Sequence, residues 1–123
     1  MKNIMFRAWD GKVMHQNVVI VDEVAYKRDC FASIFSPNAK AGIPMQYTGL
    51  NDKHGEDIFE GDILRNVLNP LVNKDPFAIS WDNNSGCWYW YDGEDGTDPF
   101  YQSIADDCEI IGNIYENSEL ITK

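Results

Sequence analysis

The longest aliphatic run in this chain, Val18-Val19-Ile20-Val21, is four residues long, and turn-forming clusters interrupt the sequence on both sides of it. Asp10-Gly11, Ser36 to Pro44, Asn51 to Gly55, Gly61-Asp62, Asn69 to Pro76 and Asp82 to Gly86 leave only short segments between them. Segments this short suit strands rather than long helices, and none approaches the roughly 20 apolar residues of a membrane span. With 123 residues the chain has the size of one ordinary domain, large enough to bury a hydrophobic core.

The local patterns agree with a strand-rich fold. Ile4, Phe6 and Ala8 alternate with Met5, Arg7 and Trp9, and Asp10-Gly11 then offers a hairpin turn before Val13-Met14. Val18 to Val21 is β-branched and fits a buried strand. Residues 22 to 36 follow no clean period and leave room for a short helix near 22 to 29. Ser36 to Pro44 holds two prolines and a glycine, so it reads as a loop and as the seam between an N-terminal portion, 1–44, and a C-terminal domain, 45–123. Beyond it, Met45 to Thr48, Ile58-Phe59, Ile63 to Val67, Phe77 to Trp81 and Trp88 to Tyr91 read as strands at the spacing of a small barrel or rolled sheet. Asp98-Pro99 has the form of a helix start, predicting a short helix from about Pro99 to Ala105. Glu109 to Tyr115 reads as a closing strand, with Gly112 marking a bulge or a close backbone approach.

Charge divides the chain unevenly. Residues 1 to 74 hold nine acids and nine bases, whereas residues 75 to 123 hold eleven acids and Lys123 alone, so the net charge of -10 arises in the second part. Such a surface repels phosphate backbones, which makes direct nucleic-acid binding there unfavourable. It also suggests an acidic decoy of nucleic acid that occupies a DNA-binding factor, provided Asp82, Asp92, Glu94, Asp95, Asp98, Asp106 and Asp107 share one face. The opening residues lack the apolar stretch of an export signal, so a cytoplasmic protein is expected.

Catalytic and cofactor signatures are missing. There is no phosphate-binding G-x-x-x-x-G-K-[ST], and Gly93 and Gly96 lie among carboxylates that would repel phosphate. Setting Gly96 as the central glycine of a calcium loop puts Tyr91 and Gln102 at its first and last ligand positions, and neither is a carboxylate. His15 and His54 have no second His or Cys at a ligand spacing, and Cys30, Cys87 and Cys108 form no C-x-x-C pair, so buried or half-buried thiols are expected. No cofactor, metal or enzymatic activity is expected. The best binding lead is aromatic: Trp88 and Trp90 alternate with Tyr89 and Tyr91, so one pair can enter the core while the other meets a partner. A protein contact, with a homo-oligomer as one form of it, is the leading expectation. A nucleic-acid-associated module using the basic residues of the N-terminal half is the alternative.

Several segments are similar to those of the YopX-like family of phage and prophage proteins: Phe6-Arg7-Ala8-Trp9-Asp10, Met45 to Leu50 with Asp52 and Gly55, Ile58-Phe59-Glu60-Gly61-Asp62-Ile63, the lone strand tryptophan Trp81, and Ile110-Ile111-Gly112-Asn113-Ile114-Tyr115-Glu116-Asn117. The resemblance implies a mainly β protein, with an SH3-type barrel or roll in the C-terminal part, a smaller N-terminal β or mixed portion and one short helix near the C-terminus. It brings no catalytic residues. Trp9, Gly49, Gly61, Asp62, Gly112 and Asn113 are read as architectural, with Gly61 supplying an uncommon backbone angle and Asp62 bonding neighbouring amides.

Overall fold

The computed structural model describes residues 5–28, 39–67, 76–91 and 97–121. The chain divides into two compact units, Met1–Tyr47 and Thr48–Lys123. Among the described residues the fold is mainly β, with antiparallel sheets and one short α-helix.

In the first unit, β1 (Phe6–Trp9) pairs with β2 (Met14–His15), and β3 (Val19–Val21) pairs with β4 (Val24–Tyr26). The Asp10 carboxylate forms the first turn by accepting the amides of Lys12 (2.8 Å) and Val13 (2.9 Å). Residues 22 to 29 were expected to leave room for a helix; instead Asp22 and Glu23, at φ 50 and 68, make a two-residue hairpin turn into β4. Positive φ at both central positions matches the twist of the flanking strands, so strand pairing overrides weak local preference. The β5 strand (Lys40–Asn51) runs from the first unit into the second, pairing with both β1 and β4 and also with β6 (Asp57–Phe59).

Residues 40–44 therefore belong to a strand and not to the predicted loop; Ser36 to Asn38 lie outside the described residues. Pro44 is tolerated because pairing with β4 ends at Gly42, while Tyr47 N–H donates to Met5 C=O (2.8 Å) on the β1 side. Alternate residues donate to alternate sides of a strand, so the missing N–H of Pro44 faces away from β1, beyond the reach of β4. Gly42, at φ 97, lies against the Trp9 carbonyl, where a Cβ would overlap backbone. The core of this unit gathers Ala8, Val18, Ala25 and Ala41, with Phe6 and Ile20 packed on them.

The second unit carries a five-stranded antiparallel sheet in the order β10-β9-β8-β7-β11. Its strands are β7 (Asp62–Asn66), β8 (Phe77–Asp82), β9 (Cys87–Tyr91), β10 (Thr97–Pro99) and β11 (Cys108–Asn113). Among the described residues the edge strands β10 and β11 do not pair with each other, so the sheet is open where a closed barrel was one expectation. The helix α1 (Gln102–Ala105) starts later than predicted, because Asp98 and Pro99 pair with Trp90 and Tyr89 in β10. Tertiary pairing wins over a local helix-start signal, and Pro99 costs no ladder bond on an edge strand. Phe100, 4% exposed, then drops into the core, its N–H bonded to Trp88 C=O (2.9 Å). That core joins Ile58, Leu64, Phe77, Ile79, Phe100, Ala105 and Cys108, with Trp88 and Trp90 packed against it. No helix among the described residues is long and apolar enough to cross a membrane.

Candidate functional site

Directly opposed residues of an antiparallel pair share a face. In β8 and β9, Trp81 opposes Trp88 and Ile79 opposes Trp90, so these residues, with Phe77, lie on the core side. Phe77 meets Trp90 edge-on at 5.6 Å between ring centroids, and Trp81 meets Trp88 edge-on at 5.0 Å. Such pairs stabilise beyond the area they bury, by about 0.5–1.5 kcal/mol. Tyr89 and Tyr91 take the other face; Tyr89 is half-buried and Tyr91 is 38% exposed. The alternation in Trp88-Tyr89-Trp90-Tyr91 thus separates a core pair from an outer pair, and Trp81, 41% exposed, adds a third accessible ring at the hairpin end.

At that end a shallow pocket of about 320 Å3 is lined by Trp81, Asp82, Ser85, Cys87, Tyr89, Asp98 and Pro99. Asp82 organises the β8–β9 turn, accepting from Asn84 N–H (3.0 Å) and the Ser85 hydroxyl (2.8 Å). The Ser85 hydroxyl, then the Asn84 amide, hold its carboxyl below the ordinary range, so it is an anion. Asp98 is brought alongside by the pairing of β10 with β9. No ion pair among the described residues involves Asp82 or Asp98. Strand register puts Asp82, Cys87, Tyr89 and Pro99 on one face of the sheet and Trp81 and Asp98 on the other, so the lining draws on residues of both faces. Sequence reasoning named Trp81, Asp82, Cys87 and Asp98 in other roles but did not join them, or Ser85, to the β9 aromatics; the only advance signal was the turn composition between two predicted strands.

A second pocket, of about 630 Å3 and in the first unit, is lined by His15, Gln16, Asn17, Lys27 and Arg28. Arg28 Nε donates to Asn17 C=O (2.8 Å), and His15 Nε2 lies 2.7 Å from Asp10 Oδ2. Among the described residues its lining includes no carboxylate.

The residues read as architectural occupy turns and strand irregularities. Trp9 ends β1 opposite Ile43 and Met14. Gly49 holds φ 84 within β5, where the Thr48 hydroxyl accepts Leu50 N–H (3.0 Å) and donates to Ile58 C=O (2.7 Å). At the corner between β6 and β7, Gly61 holds φ 87, its N–H donates to Ile79 C=O (2.8 Å), and the buried Asp62 accepts Phe59 N–H (2.8 Å). Gly112 sits at a bulge in β11, and a Cβ there would stand 2.5 Å from Asn117 Oδ1. That oxygen accepts Asn113 N–H (3.1 Å), while Asn113 Oδ1 accepts the amides of Tyr115 (3.0 Å) and Glu116 (2.9 Å). Asp52, named in the sequence only as part of a segment, proves to be a buried hub. Its carboxylate accepts His54 N–H (2.9 Å), Glu56 N–H (2.9 Å) and Ile110 N–H (3.1 Å).

The thiols differ. Burial, then the charges of Asp107 and Asp52, push Cys108 up to about 12, while Cys87 is half-buried in the aromatic pocket; Cys30 lies outside the described residues. Among the described residues no three His, Cys, Asp or Glu side chains gather to hold a metal ion. Of the seven carboxylates required for an acidic decoy, Asp92, Glu94 and Asp95 lie outside the described residues. Asp82 and Asp98 share the aromatic pocket, while Asp106 and Asp107 follow α1.

Among the described residues, two antiparallel sheets and one short α-helix define a mainly β protein built of two small units. The family model described as YopX protein matches residues 5–122, and the chain belongs to that family. It is similar to the crystal structure of protein EF1440 from Enterococcus faecalis, with 28% identity over 98% of this chain and 99% of that one and a TM-score of 0.71. Comparison with curated proteins gives no match.

Proposed function

We propose that this chain is a non-enzymatic, cytoplasmic accessory protein of a phage or prophage that acts by contact with another protein. The observation that carries this reading is the accessible aromatic group of β8 and β9. Tyr91, 38% exposed, shares the outer face with the half-buried Tyr89, and Trp81, 41% exposed, stands on the opposite face at the hairpin end; Trp and Tyr are the residues most enriched at interface centres. The strand order, with a helix between the fourth and fifth strands of the meander, supports reading the second unit as an open SH3-type roll. Tagged protein and a Trp81→Ser, Tyr91→Ser variant of equal unfolding midpoint are compared for capture of partners from a host lysate. The proposal expects a discrete partner, or a second copy of the chain, bound by the first and lost by the second. Equal capture by both overturns it.

The first-unit pocket favours one alternative, a nucleic-acid-associated module, because Lys27, Arg28 and His15 converge there with no lining carboxylate among the described residues. That reading requires retention on DNA-cellulose at low salt that falls steeply as salt rises, through counterion release. Absence of retention at low salt removes it.

A further inference from the structure

We infer that the first-unit pocket of His15, Asn17, Lys27 and Arg28 binds the phosphate group of a small phosphorylated molecule. This does not rest on the protein-contact reading, which draws on the other unit. Strand register brings the walls together. Directly opposed residues share a face, so His15 lies on the face of Ala8. Lys27 N–H donates to Ala39 C=O (2.7 Å) and so continues β4, where the two-residue period puts Lys27 on the face of Ala25. Ala8 and Ala25 pack in one core, so His15 and Lys27 stand on the same side, at its margin. Arg28 joins them through Asn17, whose backbone carbonyl accepts its Nε (2.8 Å) and whose Oδ1 accepts one Nη (3.3 Å). All four line the pocket of about 630 Å3, within the roughly 300–1,000 Å3 of small-molecule sites.

The two bases keep their charge for a ligand. Asn17 engages part of the Arg28 fork and leaves its other N–H donors, and among the described residues neither Lys27 nor Arg28 has an ion pair. Asp22 and Glu23 form the turn of the β3–β4 hairpin, at the end away from Lys27. The Asp10 carboxylate is taken up by the amides of Lys12 and Val13 and by His15 Nε2, so it serves to fix the imidazole. A phosphomonoester brings close to two negative charges and three strong acceptor oxygens, enough to meet both bases and an amide at once. Other occupants fit less well. A carboxylate brings one charge and two oxygens, and a cation meets two bases. An apolar ligand would draw water from those bases without compensating their charge. A nucleic-acid strand presents many phosphates to a chain of net charge -10, whereas a single phosphate feels chiefly the charges within a Debye length of about 8 Å.

The test titrates the full chain with adenosine monophosphate, inorganic phosphate, adenosine, acetate and a short single-stranded DNA. Binding is followed by the backbone amides of Gln16, Asn17, Lys27 and Arg28 in NMR spectra. The inference expects saturable shifts at these amides with adenosine monophosphate and with inorganic phosphate, each binding about tenfold or more tighter than adenosine or acetate. Lys27→Gln should weaken adenosine monophosphate about tenfold, while Lys53→Gln, which removes the same charge outside the pocket, should not. Arg28→Lys keeps the charge but loses the fork, so it should weaken binding less than Arg28→Gln and more than no change at all. Lys27→Gln leaves the bonds between Arg28 and Asn17 intact, so it remains informative if Arg28→Gln fails to fold. No saturable shift at these amides with millimolar phosphate or adenosine monophosphate overturns the inference. Acetate or adenosine equal to the phosphate probes does the same, as does Lys53→Gln as damaging as Lys27→Gln. If the DNA binds these amides more tightly than adenosine monophosphate and loses affinity steeply as salt rises, the inference fails in favour of the nucleic-acid alternative.

Discussion

Replacing Asp52 tests the buried link between the turn after β5 and strand β11. Asp52 is 5% exposed, and its two oxygens accept three backbone N–H groups: His54 and Glu56 on Oδ1, Ile110 on Oδ2. Asp52→Ala leaves three donors without their acceptor. At about 1–3 kcal/mol per unsatisfied buried donor, and with water entering part of the space left, the loss should be on the order of 3–5 kcal/mol. Asp52→Asn keeps the shape but offers one oxygen. Turned toward the pair of donors, it leaves its NH2 facing Ile110 N–H, which should cost about 1–3 kcal/mol. Urea unfolding followed by tryptophan fluorescence reports this unit, because Trp81, Trp88 and Trp90 all lie in it. Acidity supplies a second readout. Burial pushes the Asp52 carboxyl up, but the amides of Glu56, Ile110 and His54 together hold it below its ordinary value of 3.8. With the folded-state pKa depressed, the stabilisation is fully present above the unfolded value. It is lost as pH falls through the lower folded value, so the gap between the protein and Asp52→Asn should close below about pH 4. An Asp52→Ala protein within about 0.5 kcal/mol of the original at pH 7, a difference typical of neutral surface changes, would refute the reasoning.

Four further outcomes follow from packing and chemistry. Gly42→Ala should loosen the first unit by several kcal/mol, on the order of other strained-backbone substitutions, since the new Cβ overlaps the Trp9 carbonyl at a positive φ; amide exchange in β1 and β5 reads it. Gly112→Ala should be destabilising in the presence of Asn117 and less so in an Asn117→Ala background, because the Cβ stands 2.5 Å from Asn117 Oδ1; a double-mutant cycle showing no coupling contradicts the contact. In the native protein, iodoacetamide should label Cys87 well before Cys108, whose thiol is buried and pushed up to about 12; peptide mapping after brief exposure decides. Trp90→Ala should cost roughly 3–5 kcal/mol as a core truncation, whereas Tyr91→Ala should change stability by less than about 1 kcal/mol, compared by thermal unfolding.

Local chemistry made several features legible in advance. Alternation in Phe6 to Trp9, the Asp10-Gly11 turn and the dense punctuation after residue 45 specify strands because side-chain period and turn residues act over a few positions. The two faces of Trp88 to Tyr91 follow from the same two-residue period. What lay beyond reach was decided by pairing between distant segments. Residues 40–44 carry loop chemistry yet form a strand, because pairing with β4 stops at Gly42 and leaves Pro44 no ladder bond to lose. Asp98-Pro99 carries helix-start chemistry yet extends, because Trp90 and Tyr89 offer backbone partners and the core takes Phe100. The pocket is the same case, since Asp98 joins Trp81 and Asp82 only after β10 is laid along β9. The sequence by itself determined the kinds of segment and which residues alternate. The tertiary structure decided which segments pair, because the hydrogen bonds and burial that settle a β-sheet come from residues far apart in the chain.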